Sequence, residues 1–162
     1  MYRARNMTRN DFAFAVQITD TMDWRLARED FEFMLKLEPQ GCFVLFDDTQ
    51  RIGVVTTITY GQTGWLGNLI VDENNRKKGA GTHLARQAIN YLTSKKVETI
   101  GLYAYLEKIP FYQRLGFEYE SEFTVLKGKG FHSSRISKNL REAKKEDIQD
   151  IIKYDQTCFG AS

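Results

Sequence analysis

The stretch Arg76-Lys77-Lys78-Gly79-Ala80-Gly81-Thr82 follows an apolar run, Trp65 to Val71. It opens a helical pattern in which Leu84, Ala85, Ala88, Ile89 and Leu92 share one face. A helix begins with backbone N–H groups that lack partners and with a partial positive charge. Glycines let a ligand approach such a backbone closely. Three adjacent cations add long-range attraction, so the stretch suits a phosphate or pyrophosphate. The same residues also read as a glycine-rich turn within a solvated basic loop. Other phosphate loops fit worse. A G-x-G-x-x-G loop needs glycine where Leu84 stands, and a Walker loop needs Gly-Lys-Ser/Thr where Gly81 precedes Thr82 directly.

Working outward, Tyr2 to Met7 reads as a strand, and Thr8 with Asp11 starts a helix bearing Phe12, Ala15 and Val16 on one side. A second helix begins near Glu29 and Asp30 and ends at Pro39-Gln40-Gly41. Cys42 to Phe46, Arg51 to Tyr60 and Trp65 to Val71 are strands separated by turn-forming residues. Beyond the glycine loop and its helix come a strand over 97–104, a short helix over 108–115 stopped by Gly116, and a last strand over 117–126. A three-stranded meander followed by a βαβ crossover predicts a mixed sheet with helices on both faces, an α/β (α+β) domain.

The 162 residues, 42% hydrophobic and 13% aromatic, suffice for one packed domain and exclude global disorder. There is no apolar run long enough to span a membrane and no visible secretory signal. The two cysteines, Cys42 and Cys158, form no C-x-x-C pair, and His83 and His132 have no partner at metal spacing. A reducing, cytoplasmic setting and no metal are expected. The net charge of +2 conceals an asymmetry. Residues 127–145 hold seven cations against Glu142 alone, which leaves the remainder at −4. An acidic body argues against a nucleic-acid partner.

About thirty residues after the glycine loop stands Pro110-Phe111-Tyr112-Gln113-Arg114-Leu115-Gly116-Phe117. R-x-x-G-x-G after a strand, an intervening helix and strand, and then F-Y-x-x-L-G-F resemble the GNAT superfamily of N-acetyltransferases. The resemblance covers residues 2–127. It implies a mostly antiparallel, twisted mixed sheet whose strands at 65–71 and 97–104 splay apart at the cofactor, with Gly67 and Asn68 at the distortion. It implies acetyl-CoA (coenzyme A) as cofactor. The amides of Lys77, Lys78, Gly79, Ala80, Gly81 and Thr82 would cradle its pyrophosphate. Arg76 would shape and charge the loop, and the Leu69-Ile70-Val71 backbone would bond the pantetheine.

The resemblance makes Tyr112 the proton donor to the leaving sulfur. A phenol is protonated at neutral pH and can serve. Apart from the motif, Tyr112 reads as a half-buried aromatic. The strand before the loop carries no carboxylate, and Glu73, Glu29 and Asp30 read as surface charges rather than a base. Lys77, Glu73 and Tyr105 depart from residues frequent in the family. The acceptor, a small-molecule or peptide amine, would meet the first two helices, with Trp24 between them, and the hairpin at 60–64. The expected function is N-acetyl transfer to a primary amine. The alternative is a non-catalytic acyl-CoA-binding module.

Residues 128–139 read as a linker after a 1–127 domain. In 140–162, a shift of 136 places lays Arg5 on Arg141 and Asp11 on Asp147. It lays Phe12, Ala15 and Val16 on Ile148, Ile151 and Ile152. The arrangement is similar to the N-terminal domain of a tandem GNAT protein followed by a second, truncated unit. The other reading is a C-terminal docking helix, with a homodimer among its outcomes.

Overall fold

A computed structural model describes residues 1–125, 128 and 140–159 of the chain. The expected linker at 128–139 lies outside them except for Gly128, as do Leu126 and His132.

Among the described residues five strands form one sheet in the order β1-β2-β3-β4-β5: Tyr2–Asn6, Phe43–Asp47, Gln50–Tyr60, Thr63–Val71 and Thr99–Gly101. The first four are antiparallel neighbours, and β5 joins β4 in parallel. A parallel neighbour requires a crossover, which the helix between β4 and β5 supplies.

Helices α1 (Phe12–Asp20) and α2 (Arg28–Leu37) cover one face of the sheet, and α3 (Ala80–Ser94) covers the other. Strand alternation explains the division in β2. Val44 and Phe46 join Phe12, Ala15 and Phe31, whereas Phe43 and Leu45 join Leu84, Ala88 and Leu92. Leu84 and Leu92 are fully buried on α3, each contributing roughly 1.5–3 kcal/mol. A bulge between Leu45 and Phe46 shifts the β3 register, so Ile52 and Val54 serve opposite cores despite their even spacing. Gly53 is required by close approach, because a Cβ there would lie 2.7 Å from the Ile70 carbonyl oxygen.

Two buried carboxylates fasten the elements. Asp11 accepts from Arg5, from Arg51 on β3 and from the Thr8 backbone. Burial opposes its charge, but these donors prevail and hold the carboxyl well below its usual range. Glu38 accepts from Tyr91 Oη and from Thr59 Oγ1, with Lys95 beside it. Burial again opposes the charge, yet the net effect is a lowered carboxyl pKa.

Two expected strands differ. The strand expected at 97–104 is only Thr99–Gly101, because its pairing with β4 ends at Trp65↔Gly101. The strand expected over 117–126 is not formed in its described part, 117–125. In that segment the Phe123 ring lies 4.5 Å from that of Tyr103, but no ladder forms. The helix expected over 108–115 is a single turn of 3₁₀ helix followed by α4 (Ile109–Gln113). Gly116, at φ +96°, ends this region as expected.

Candidate active site

The site begins where β4 leaves its neighbour. β4 and β5 are paired only from Thr63↔Thr99 to Trp65↔Gly101, so Leu66 to Val71 have no ladder on that side. On the other side a bulge lies opposite Val54–Thr56, because Ile70 faces Val54 and Gly67 faces Thr56. Asn68 occupies it at φ +51°, a conformation asparagine tolerates better than most residues. Its Nδ2 donates to Thr56 Oγ1 at 3.0 Å and lies 3.2 Å from Met34 Sδ on α2. The expected distortion at Gly67 and Asn68 is therefore present.

The Asp72 N–H donates to the Ile52 carbonyl at 2.7 Å. By antiparallel alternation, Ile70 then directs its backbone groups to β3, and Val71 turns to the open side. Of the expected Leu69-Ile70-Val71 set, Ile70 is thus engaged with the sheet. Arg76 Nε donates to the Val71 carbonyl at 2.8 Å. This arginine pins the loop to the end of β4 as well as charging it.

Lys77 and Gly79 both take left-handed conformations, at φ +60° and +88°. Gly79 is the N-cap of α3, and a Cβ added there would meet nothing within 4 Å. The amides of Ala80, Gly81 and Thr82 fall in the first turn, where no carbonyl four residues earlier is available to them. The His83 N–H closes the first bond onto the Gly79 carbonyl. Lys77 and Lys78 are exposed beside this turn. A left-handed loop, free amides and exposed lysines just beyond the end of β4 make a cradle of the right chemistry for a pyrophosphate.

The two sequence motifs meet here. A Cβ at Gly81 would lie 3.7 Å from Phe111 Cζ, so α4 packs on the first turn of α3. Tyr112 is half-buried between Phe111 and Phe117, with ring centroids at 4.9 and 5.9 Å. Its carbonyl accepts from the N–H groups of Leu115 and Phe117, which fixes the turn through Gly116. Burial pushes the Tyr112 phenol up to about 12.

The expected acceptor elements are divided. The hairpin tip is tied to the approach to β5, with the Glu98 N–H donating to the Gln62 carbonyl at 2.7 Å. It lies at the end of β4 opposite Val71. Trp24 packs partly into the α1–α2 core, and its Nε1 donates to Tyr105 Oη at 2.9 Å. Both neighbours of Trp24, Asp23 and Arg25, have φ +54°. Such residues cost of order 1–3 kcal/mol each and cluster where a chain must present a side chain. The Trp24–Tyr105 bond was not legible in the sequence. The flanking aspartate and arginine gave no signal, and the partners are 81 residues apart.

None of the three carboxylates weighed as a base stands on the open edge. Asp30 accepts from the Ala27 N–H as a helix cap. Glu29 and Glu73 are exposed in the first turns of α2 and of a 3₁₀ turn. Glu38, buried and missed by sequence reasoning, is consumed by its three partners near the far end of α3. His83 is exposed, and no metal-holding cluster of His, Cys, Asp and Glu occurs among the described residues. Cys42 is buried, its thiol pushed up to about 12 by burial, and Cys158 is exposed and free. Among the described residues no helix is long and apolar enough to cross a membrane.

Known proteins supply the frame for this geometry. The Acetyltransferase (GNAT) family pattern matches residues 4–117. An uncharacterized N-acetyltransferase of Methanocaldococcus jannaschii is 30% identical over 116 residues, 63% of this chain and 48% of the relative. The chain thus spans about half the length of that curated relative. A Pyrococcus horikoshii structure described as an acetyltransferase superposes with a TM-score of 0.66 at 27% identity, over 74% of this chain and 44% of that one. Ard1 from Thermoplasma volcanium superposes at 0.69 with 17% identity, over 74% and 84% of the two chains, and supports the fold alone. With the splayed β4 edge, the glycine-capped α3 and the α4 packed upon it, the chain belongs to the GNAT acetyltransferase family.

Proposed function

We propose that the protein transfers an acetyl group from acetyl-CoA to a primary amine. The observation that carries this reading is the approach of Phe111 to Gly81, which sets α4, the helix that bears Tyr112, on the first turn of α3, whose preceding loop Arg76 ties to the end of β4. The amides from Lys77 to Thr82 would hold the pyrophosphate, with Lys77 and Lys78 adding charge. Leu69 and Val71 would meet the pantetheine along the strand edge. Acetyl-CoA supplies the acyl carbon, which gains a bond to nitrogen as its bond to sulfur breaks.

The proton lost by nitrogen ends on sulfur, and the raised pKa of Tyr112 defines its part. At neutral pH the phenol is fully protonated and donates a hydrogen bond to the departing sulfur. Outright transfer from so weak an acid to a thiolate of ordinary pKa, about 8.5, would be uphill. Tyr112 therefore stabilises the thiolate until the proton released by the amine reaches it. Trp24 and Tyr105 wall the side from which the amine arrives.

The test is thioester consumption with a panel of amines, alongside coenzyme A binding by thermal shift. Tyr112→Phe is expected to lower turnover about 10²-fold and to leave coenzyme A affinity nearly unchanged. An absence of coenzyme A binding at millimolar concentration overturns the reading. Binding without turnover on any amine makes the protein a non-catalytic acyl-CoA-binding module instead.

A further inference from the structure

The folded tail repeats the arginine fork and the turn that begin the chain. Arg5 grips both carboxylate oxygens of Asp11 at 2.7 and 2.8 Å, and Arg141 grips both of Asp147 at 2.6 Å. Arg5 Nη1 also donates to the Asn6 carbonyl, as Arg141 Nη1 does to that of Glu142. The Thr8 N–H donates to Asp11 Oδ2 at 2.8 Å, and the Lys144 N–H donates to Asp147 Oδ2 at 2.8 Å. A 3₁₀ turn follows in each, Arg9–Asp11 and Lys145–Asp147, and then a helix: α1, and α5 at Ile148–Phe159. The 136-residue shift read from the sequence thus carries over to the arginine fork, the backbone donor and the turn; the Thr8 Oγ1 bond to Asp11 Oδ2, at 2.9 Å, has no counterpart at Lys144.

Only the surroundings differ. In the first copy Met7, Asp11, Ala15 and Ile18 are buried against the sheet, and Arg51 Nε from β3 gives Asp11 Oδ1 another donor at 2.8 Å. The matching positions Ala143, Asp147, Ile151 and Tyr154 line an open cleft, and Ile148, Ile151 and Ile152 are exposed. The first copy therefore shows what fills such a cleft: the face of a β2–β3 pair bearing Val44, Phe46 and Val54, with an arginine reaching the aspartate.

We propose that residues 140–159 open a second GNAT unit. Their Ile148–Ile151–Ile152 face docks on that unit's own sheet within one polypeptide, and an arginine in the place of Arg51 meets Asp147. Relatives have room for such a unit. The chain covers 48% of the Methanocaldococcus jannaschii protein and 44% of the Pyrococcus horikoshii one. The inference is independent of the catalytic reading.

The test supplies the missing sheet. Thr157 falls on Thr21 under the same shift. One chain therefore carries residues 22–125 after Thr157, a body without its own first strand and helix. A second carries residues 1–125 there, a body already complete. Amide exchange of peptides within 148–157 is compared by mass spectrometry with that of the unextended chain. Slowing of about 100-fold is expected in the first extension only. That extension is also made with Ile151→Ala, which restores the alanine found at position 15 and removes overpacking as a cause of failure. No slowing in either version overturns the proposal. So does equal slowing in both extensions. Concentration-dependent slowing in the unextended chain also overturns it and makes a second copy of the chain the occupant.

Discussion

Asp11 and Asp147 are held by the same arginine fork, at the same spacing and at the end of the same 3₁₀ turn. Yet the Asp11 side chain is fully buried, while that of Asp147 keeps 25% of its exposure. Phe12 has no exposure, and Ile148, its counterpart, has 46%. A span of about ten residues therefore sets the local geometry, and the sheet sets what that geometry is worth. A fork in water contributes about 0–1 kcal/mol. A carboxylate under a sheet makes its partners indispensable, because without them it is a buried, uncompensated charge.

The sharpest contrast should come from the helix faces. Phe12→Ala removes a fully buried ring and is expected to cost about 3–5 kcal/mol. Ile148→Ala is expected to stay within about 0.5 kcal/mol. Urea denaturation of the two variants measures both. Equal losses would show that α5 is packed in solution and would dissolve the contrast.

The forks come next. Asp11→Ala strands Arg5 and Arg51, both partly solvated, and is expected to cost about 2–4 kcal/mol. Asp147→Ala should leave the thermal midpoint of the body unchanged, because its fork fastens nothing to the sheet. Intact melting of Asp11→Ala would mean that Thr8 and the arginines reorganise at no cost.

The same separation of local from long-range determinants explains what could be read from the residues alone. Strands β1 to β4 and helices α1 to α3 were legible because their apolar periodicity is local. So was the Gly79 loop, whose left-handed turn and free amides depend on a few adjacent residues. The expected strand at 117–126 failed because alternation among Phe117, Tyr119, Phe123 and Val125 reports propensity and not a partner. In the fold Tyr119, Phe123 and Val125 are largely exposed. The strand at 97–104 shrank for the complementary reason, since β4 diverges after Trp65. Long-range pairings such as Trp24 with Tyr105, Asn68 with Thr56, and Glu38 with Tyr91 leave no local trace. Tyr112 stands out in the sequence only through its motif, and the burial that raises its pKa comes from packing that no periodicity reports.

Acid titration extends the contrast to a smaller effect. The Asp11 carboxyl lies well below its unfolded value of about 3.9 in the folded protein. A depressed folded pKa gives stability that is fully present above the unfolded value and is lost as pH falls through the folded one. Each proton taken up only on unfolding adds a slope of about 1.4 kcal/mol per pH unit in that window. The Asp147 carboxyl is also depressed, first by Arg141 and then by the Lys144 amide. Its described bonds all lie within the tail, so its protonation is not coupled to unfolding of the body and adds no slope to that transition. Glu38, likewise depressed, contributes in the same window and keeps the slope above zero in any Asp11 variant. Urea midpoints measured from pH 5 to pH 3 should therefore fall less steeply for Asp11→Asn than for the unaltered chain, and just as steeply for Asp147→Asn. Flattening by Asp147→Asn would mean that the tail fork is lost when the body unfolds, which requires the tail to be docked.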